Sequence, residues 1–259
     1  MSISGLYGLK RPERTAELDI GGASREEIIN ATYGAWTSFL KSCDKDTPDD
    51  TLYDYACALV RPFKTKISGV LTERDVLRAF ALGKDEHDEN GVYLSALLNE
   101  TDASMLALGK IKPPRNVLKG VGFCLKPGKI VSARDGVLGL GSCAEGGIVI
   151  NRGEVHWMSS YAEGGLHING GYISSTLGEG ASGGTFITMN DDVSRGMLAY
   201  PKGPAYAIYW DKWKSDGDIR ALVGELLEAD DRLDAPKMNA IARKIDAHVR
   251  KKYTPEGAD

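Results

Sequence analysis

A serine set among glycines is the most chemically suggestive feature of this 259-residue chain. GASGG at 180 to 184 fits GxSxG, a pattern that exposes a hydroxyl so that it can act as a nucleophile. Ser182 would be that nucleophile, and it would need an imidazole to take its proton. GEGASG at 178 to 183 overlaps it and fits GxGxxG, and GLGSCA at 139 to 144 fits the alanine-ending form. Dinucleotide binding requires a helix directly behind such glycines, so that its N-terminus faces the pyrophosphate. GTFITMN and EGGIVIN follow instead, and both have strand character, so no cofactor is expected. His156, Trp157, Tyr161 and His167 fall within 12 positions and are the candidate binding residues, suited to stacking on a ligand or packing against a partner. A zinc site from the two histidines with Glu163 is an alternative for that cluster, and the reading adopted has no metal. Cys43, Cys57, Cys124 and Cys143 form neither a CxxC pair nor a zinc spacing, so reduced thiols are expected.

The elements that must position these residues divide the chain into zones. Residues 1 to 23 are expected to form an extended arm, and a helical unit is expected over 24 to 110. Ser24 and Glu27 make a capping box, followed by Ile29, Tyr33, Trp36 and Leu40 along one helical face. Thr47-Pro48 starts a second helix carrying Leu52, Tyr55, Ala56 and Leu59. Thr72 and Asp75 start a third through Phe80, and one or two more are expected between Val92 and Gly109. The adjacent prolines of KIKPPR, at 110 to 115, then end the helical pattern. A Gly-rich β-module is expected over 117 to 210, with strands such as TFIT and AYAIYW, and two helices over 215 to 252 packed back on it.

The module carries an internal repeat. AEGGIVIN at 144 to 151, AEGGLHIN at 162 to 169 and ASGGTFIT at 181 to 188 recur at steps of 18 and 19, and LKPGKIVS at 125 to 132 is a weaker copy 19 residues earlier. Stacked units would align Ile150, Ile168 and Ile187 as an inward column. They would also align Ala144, Ala162 and Ala181, set Asn151 over Asn169, bring Cys124 beside Cys143, and turn His167 outward. Glu145 and Glu163 would share a column facing either water or a cation. The fold expected is α+β, with the β-module either antiparallel or a solenoid.

Residues 125 to 190 resemble the Gly-rich β-helix repeat found in the glutamate synthase C-terminal domain and in the β-helical component of formylmethanofuran dehydrogenase. That resemblance implies a scaffold beside catalytic partners. A second resemblance rests on GASGG with GVGFCLKPGKIVSAR, at 120 to 134, which is similar to the serine motif and early strands of chymotrypsin-like proteases. It implies Ser182 as nucleophile but puts Asp135 where that family has its histidine. A carboxylate cannot serve as the neutral imidazole base, so a relative of this kind would be inactive. His87 lies in the charged run KDEHDEN and does not repair the pattern.

Charge narrows the partners. Residues 110 to 134 hold seven Lys or Arg and no acid, whereas 153 to 194 hold five acids and no Lys or Arg. Opposite ends of this kind suit head-to-tail self-association or docking to a charged protein. The basic stretch with Arg250, Lys251 and Lys252 could also meet nucleic acid, but no nucleic-acid-reading motif accompanies it and the net charge is -4. No apolar run approaches membrane-spanning length and the first residues lack a signal-peptide core, so a cytoplasmic protein without membrane contact is expected. The function read from these features is a non-enzymatic structural or assembly protein, a homo-oligomer or the partner of another protein, using the β-module as its interaction surface. A serine hydrolase relative using Ser182 is the alternative, and a nucleic-acid-associated protein using 110 to 134 the third.

Overall fold

Ser24 caps the first helix, α1 (Arg25–Leu40), through the expected box with Glu27, and Ile29, Tyr33, Trp36 and Leu40 are buried along it. The computed structural model describes residues 22–43, 47–72, 75, 89–109, 118–134, 137–191, 198 and 201–255. The body of the helix expected from Thr72, the KIKPPR break, His87 and Asp135 fall outside them. Helix α2 (Asp49–Val60) begins behind Pro48. Helix α3 (Asn90–Glu100) is buried along nearly its whole length, as befits a helix without a polar face.

The helix expected to run on toward Gly109 stops at Glu100, and residues 102 to 108 form a strand. Here tertiary pairing overrides local helical preference: β2 (Asp102–Leu108) lies between β1 (Ser68–Thr72) and β3 (Ile130–Ala133), parallel to both. The remaining strands are β4 (Val137–Leu140), β5 (Ile148–Asn151), β6 (Glu154–Met158), β7 (Leu166–Asn169), β8 (Tyr172–Ile173), β9 (Thr185–Thr188) and β10 (Tyr206–Ile208). They form a seven-stranded sheet in the order β1-β2-β3-β5-β7-β9-β10 and a three-stranded sheet in the order β4-β6-β8.

This corrects the expected β-module. Each described strand pair is parallel, and the strands lie in two sheets rather than in antiparallel pairs or a closed solenoid. A step of 18 or 19 residues returns the chain in the same direction, whereas antiparallel neighbours would need hairpins that this spacing does not provide. The larger sheet also reaches beyond the repeat, through β1 and β2 from the helical unit and through β10.

Register brings Ile150, Ile168 and Ile187 side by side, and it also aligns Val149, His167 and Phe186. The alternation read from sequence is therefore right, but the outward direction assigned to His167 is wrong. The Ile column packs under α5 (Gly217–Asp231) and α6 (Ala235–Lys252), against Ile219, Val223, Leu226, Met238, Ile241, Ile245 and Val249. The Val149–Phe186 side shares a core with Val155, Met158 and Ile173 of the smaller sheet. Both faces are covered, as parallel sheets require, and β5, β7 and β9 are buried at every residue. Each fully buried isoleucine contributes roughly 1.5 to 3 kcal/mol. Asn151 donates to Asn169 at 2.8 Å and Asn169 donates to Thr188 at 3.3 Å, so the buried amide ladder satisfies itself.

Side chains close the start of the repeat and the free edge of the larger sheet. Ser95 and Asn99 of α3 bond the backbone of residues 120, 123, 124 and 126, the first turn of the repeat. Arg25 donates to the carbonyls of Ser68 and Val70, and Asp75 accepts from the Thr72 N–H, so an arginine and an aspartate occupy the free edge of β1. Such covering blunts an edge that would otherwise pair with another chain. Helix α4 (Trp210–Ser215) follows β10 and leads into α5. Among the described residues no helix is long and apolar enough to cross a membrane.

Candidate functional site

The corners that join the two sheets bring side chains together in columns. Gly122, Gly141, Ser159 and Gly178 recur at steps of 19, 18 and 19 with φ of 73°, 72°, 58° and 72°. Two residues further on, Cys124, Cys143, Tyr161 and Gly180 recur at the same steps with φ of 50°, 55°, 58° and 63°. Left-handed backbone costs an ordinary residue roughly 1 to 2 kcal/mol, which is why glycine is the usual occupant. Four positions nevertheless carry side chains.

The second column opens on a cleft of about 430 Å³ lined by Asp49 and Asp50 of α2, Cys143, Trp157, Tyr161 and Glu179, among others. Trp157 stands opposite Gly139 on β4, and any side chain at 139 would collide with its indole. The Tyr161 ring lies against Gly180 and beneath the Lys202 ammonium, whose Nζ is 4.9 Å from the ring centroid. Tyr161 is 50% exposed, among the most exposed large apolar side chains described. His156, exposed on the same strand as Trp157, meets that ring edge-on and shares a 2.7 Å hydrogen bond with Ser174. Three of the four candidate binding residues therefore lie at or beside one cleft.

His167 belongs to the first column instead. It is fully buried, stacked on Phe186 at 4.5 Å, and both ring nitrogens are engaged. Nε2 faces the Gly164 carbonyl at 2.8 Å, which can only accept, so Nε2 carries the proton. Nδ1 then accepts from the Ser159 hydroxyl at 2.7 Å. Burial pushes the imidazole pKa down to about 4, so the ring is neutral. A serine donating to a histidine has the composition of a catalytic pair, but both residues are sealed from solvent and the bond holds the corner to the sheet.

Ser182 is exposed on the corner before β9, where its N–H donates to the Ala162 carbonyl. No described histidine is bonded to it: His156 meets Ser174, His167 meets Ser159 and Gly164, and His248 meets Asp216. GASGG leads into a strand rather than a helix, and neither GxGxxG-type run opens a helix. A nucleophile elbow and a pyrophosphate site both need that helix. Glu145 and Glu163 are both exposed to water.

Among the described residues, Asp216, Asp218 and His248 bring ligand atoms within 4.8 Å of one another, a spacing that could suit a cation. Asp216 is already saturated. It accepts from the N–H groups of Asp218 and Ile219 as the cap of α5, and from His248, Lys252 and Tyr253 of the last helix and its end. Burial alone would raise its pKa, but the donors of His248, Lys252 and Tyr253 outweigh that and hold the carboxyl well below the usual range. This group ties α5 to α6.

The described cations of the basic stretch are engaged within the chain. Lys119 pairs with Asp49, Lys126 with Glu100 and Arg134 with Asp231, and Lys129 donates to the carbonyls of Thr101 and Ala103. Exposed cations stand instead on the last helix, including Arg243, Lys244, Arg250 and Lys251. Arg243 and Arg250 line a broad groove of about 1320 Å³ between that helix and the glycine corners at 146–147, 164–165 and 183–184. Arg250 is held there by Asp246 at 2.7 Å and lies over Tyr206.

Sequence reasoning missed Cys143 as a cleft residue and Ser159 as the partner of His167. The signal was present, because 124, 143, 161 and 180 keep the period of the repeat. Comparison of the chain with family models, with curated proteins and with solved structures finds no match.

Proposed function

We propose that this chain is a non-enzymatic structural or assembly protein that joins a second copy of itself through the corner cleft. The observation that carries this reading is the presentation of Trp157 and Tyr161 at a cleft bordered by the carboxylates of Asp50 and Glu179, with Asp49 beside them paired to Lys119. Aromatic rings beside carboxylates suit a basic surface, by cation–π attraction and charge together. The exposed cations Arg243, Lys244 and Lys251 of α6 supply such a surface on the same chain. Cleft and helix are different patches, so the contact is head-to-tail and can propagate.

Light scattering across a concentration and salt series tests the proposal. The expected result is a mass above the 27.9 kDa of one chain, rising with concentration, falling at high salt and collapsing in Tyr161→Ala. A single-chain mass at every concentration overturns it.

A further inference from the structure

We propose that Cys143 and Cys124 form a thiol–disulfide redox site in the corner cleft, with Cys143 attacking a low-molecular-weight disulfide and Cys124 resolving the product. The inference stands apart from self-association, since it concerns two sulfurs within one chain. Three observations carry it. Cys143 lines the cleft, where a small molecule can reach it, and Cys124 occupies the same position one turn earlier. The two corners are hydrogen-bonded in series, Cys124 N–H to Ser142 and Cys143 N–H to Ser160. Neighbouring strands lie roughly 4.8 Å apart, within the Cα separation that a disulfide spans. Lastly, both cysteines sit at left-handed positions, φ 50° and 55°, that Gly180 fills without a side chain two turns on. At Cys143, which borders the cleft, that retained strain is joined to an accessible side chain, and the combination supports a functional role.

The two sulfurs are not equivalent. Cys143 lines the cleft and Cys124 does not, and the interaction between the two thiols favours the thiolate at Cys143 while that interaction and burial hold the proton on Cys124. Cys143 thiolate attacks one sulfur of the small disulfide, whose S–S bond breaks and expels one thiolate. Cys124 then loses its proton to solvent and attacks the Cys143 sulfur, expelling the second thiolate. Two protein thiols are oxidised to one disulfide, and one small disulfide is reduced to two thiols.

Anaerobic incubation of the full chain with glutathione disulfide, followed by intact-mass and peptide mapping, tests this. All four cysteines begin as thiols. The expected result is loss of two thiols, a mass decrease of about 2 Da from the two hydrogens removed, and a link between 124 and 143. Cys143 should react roughly tenfold faster than Cys43. Cys124→Ser should stop at a stable mixed disulfide on Cys143, and Cys143→Ser should abolish the link. Equal rates at Cys43 and Cys143, a stable adduct on Cys143 of the unmodified chain, or a link through Cys57 would each overturn the proposal. The mapping of the unmodified chain decides it even where a serine variant fails to fold.

Discussion

The two corner columns differ by two residues in sequence and by everything in environment. In the first, glycine occupies three of four turns, and the one side chain, Ser159, turns inward to bond a buried imidazole. In the second, three of four turns carry side chains, Cys124, Cys143 and Tyr161, of which Cys143 and Tyr161 border the cleft. Strained backbone serves internal architecture in one column and surface chemistry in the other. The same φ therefore says nothing about function until the direction of the side chain is known.

The largest expected effect breaks the inner column. A Cβ at Gly141 would lie 2.9 Å from both methyls of Val149 in addition to the left-handed penalty. Gly141→Ala should cost about 3 kcal/mol, the sum of conformational strain and overpacking, in urea-induced unfolding. A loss below about 1 kcal/mol would show that the inner column is slack and erase the contrast.

His167 gives the next effect. Its pKa is about 4 when folded and about 6.5 when unfolded, so the unfolded chain binds the extra proton between those values. Stability is fully present above pH 6.5 and is lost as pH falls toward 4, by up to about 3 kcal/mol. Wild type minus His167→Asn, measured by denaturant midpoints from pH 7 to pH 4, should isolate this slope. A parallel pair of curves would mean that the imidazole is not sealed.

The smallest effects sharpen the comparison most. Ser159→Gly relieves left-handed strain but leaves His167 Nδ1 without its donor, and should destabilise by about 1 kcal/mol. Tyr161→Gly relieves the same strain with no buried bond lost, and should be neutral or stabilise by up to about 1 kcal/mol. Thermal melts should show the Ser159 variant lowered and the Tyr161 variant unchanged or raised. Shifts of the same sign would remove the distinction between the columns.

Much of the local architecture could be read from the residues themselves. Ser24 and Glu27 define the start of α1, and Pro236 stands in the first turn of α6. The 18- and 19-residue steps set Ile150 beside Ile168 and Ile187, and Asn151 beside Asn169. These features are local or strictly periodic, so each copy repeats the same information. Residues 102 to 108 failed the same treatment, because DASMLAL has no alternation that excludes a helix and only its neighbours β1 and β3 make it a strand.

Which side of a strand is inside was beyond the sequence. Alternation separates Ile168 from His167, but it cannot say that α5 and α6 cover one and the smaller sheet covers the other, leaving neither outside. The residue types at the cleft were equally plain, since Trp157, Tyr161, Asp50 and Cys143 are all visible in the chain. Their meeting depends on α2 packing against the corner turns, a contact between residues about a hundred positions apart. Periodicity and capping are carried by neighbours along the chain and so survive in the sequence. Burial of a face, closure of a cleft and the pairing of Lys119, Lys126 and Arg134 with acids elsewhere are decided by which surfaces remain to be covered, and only the packed structure settles that.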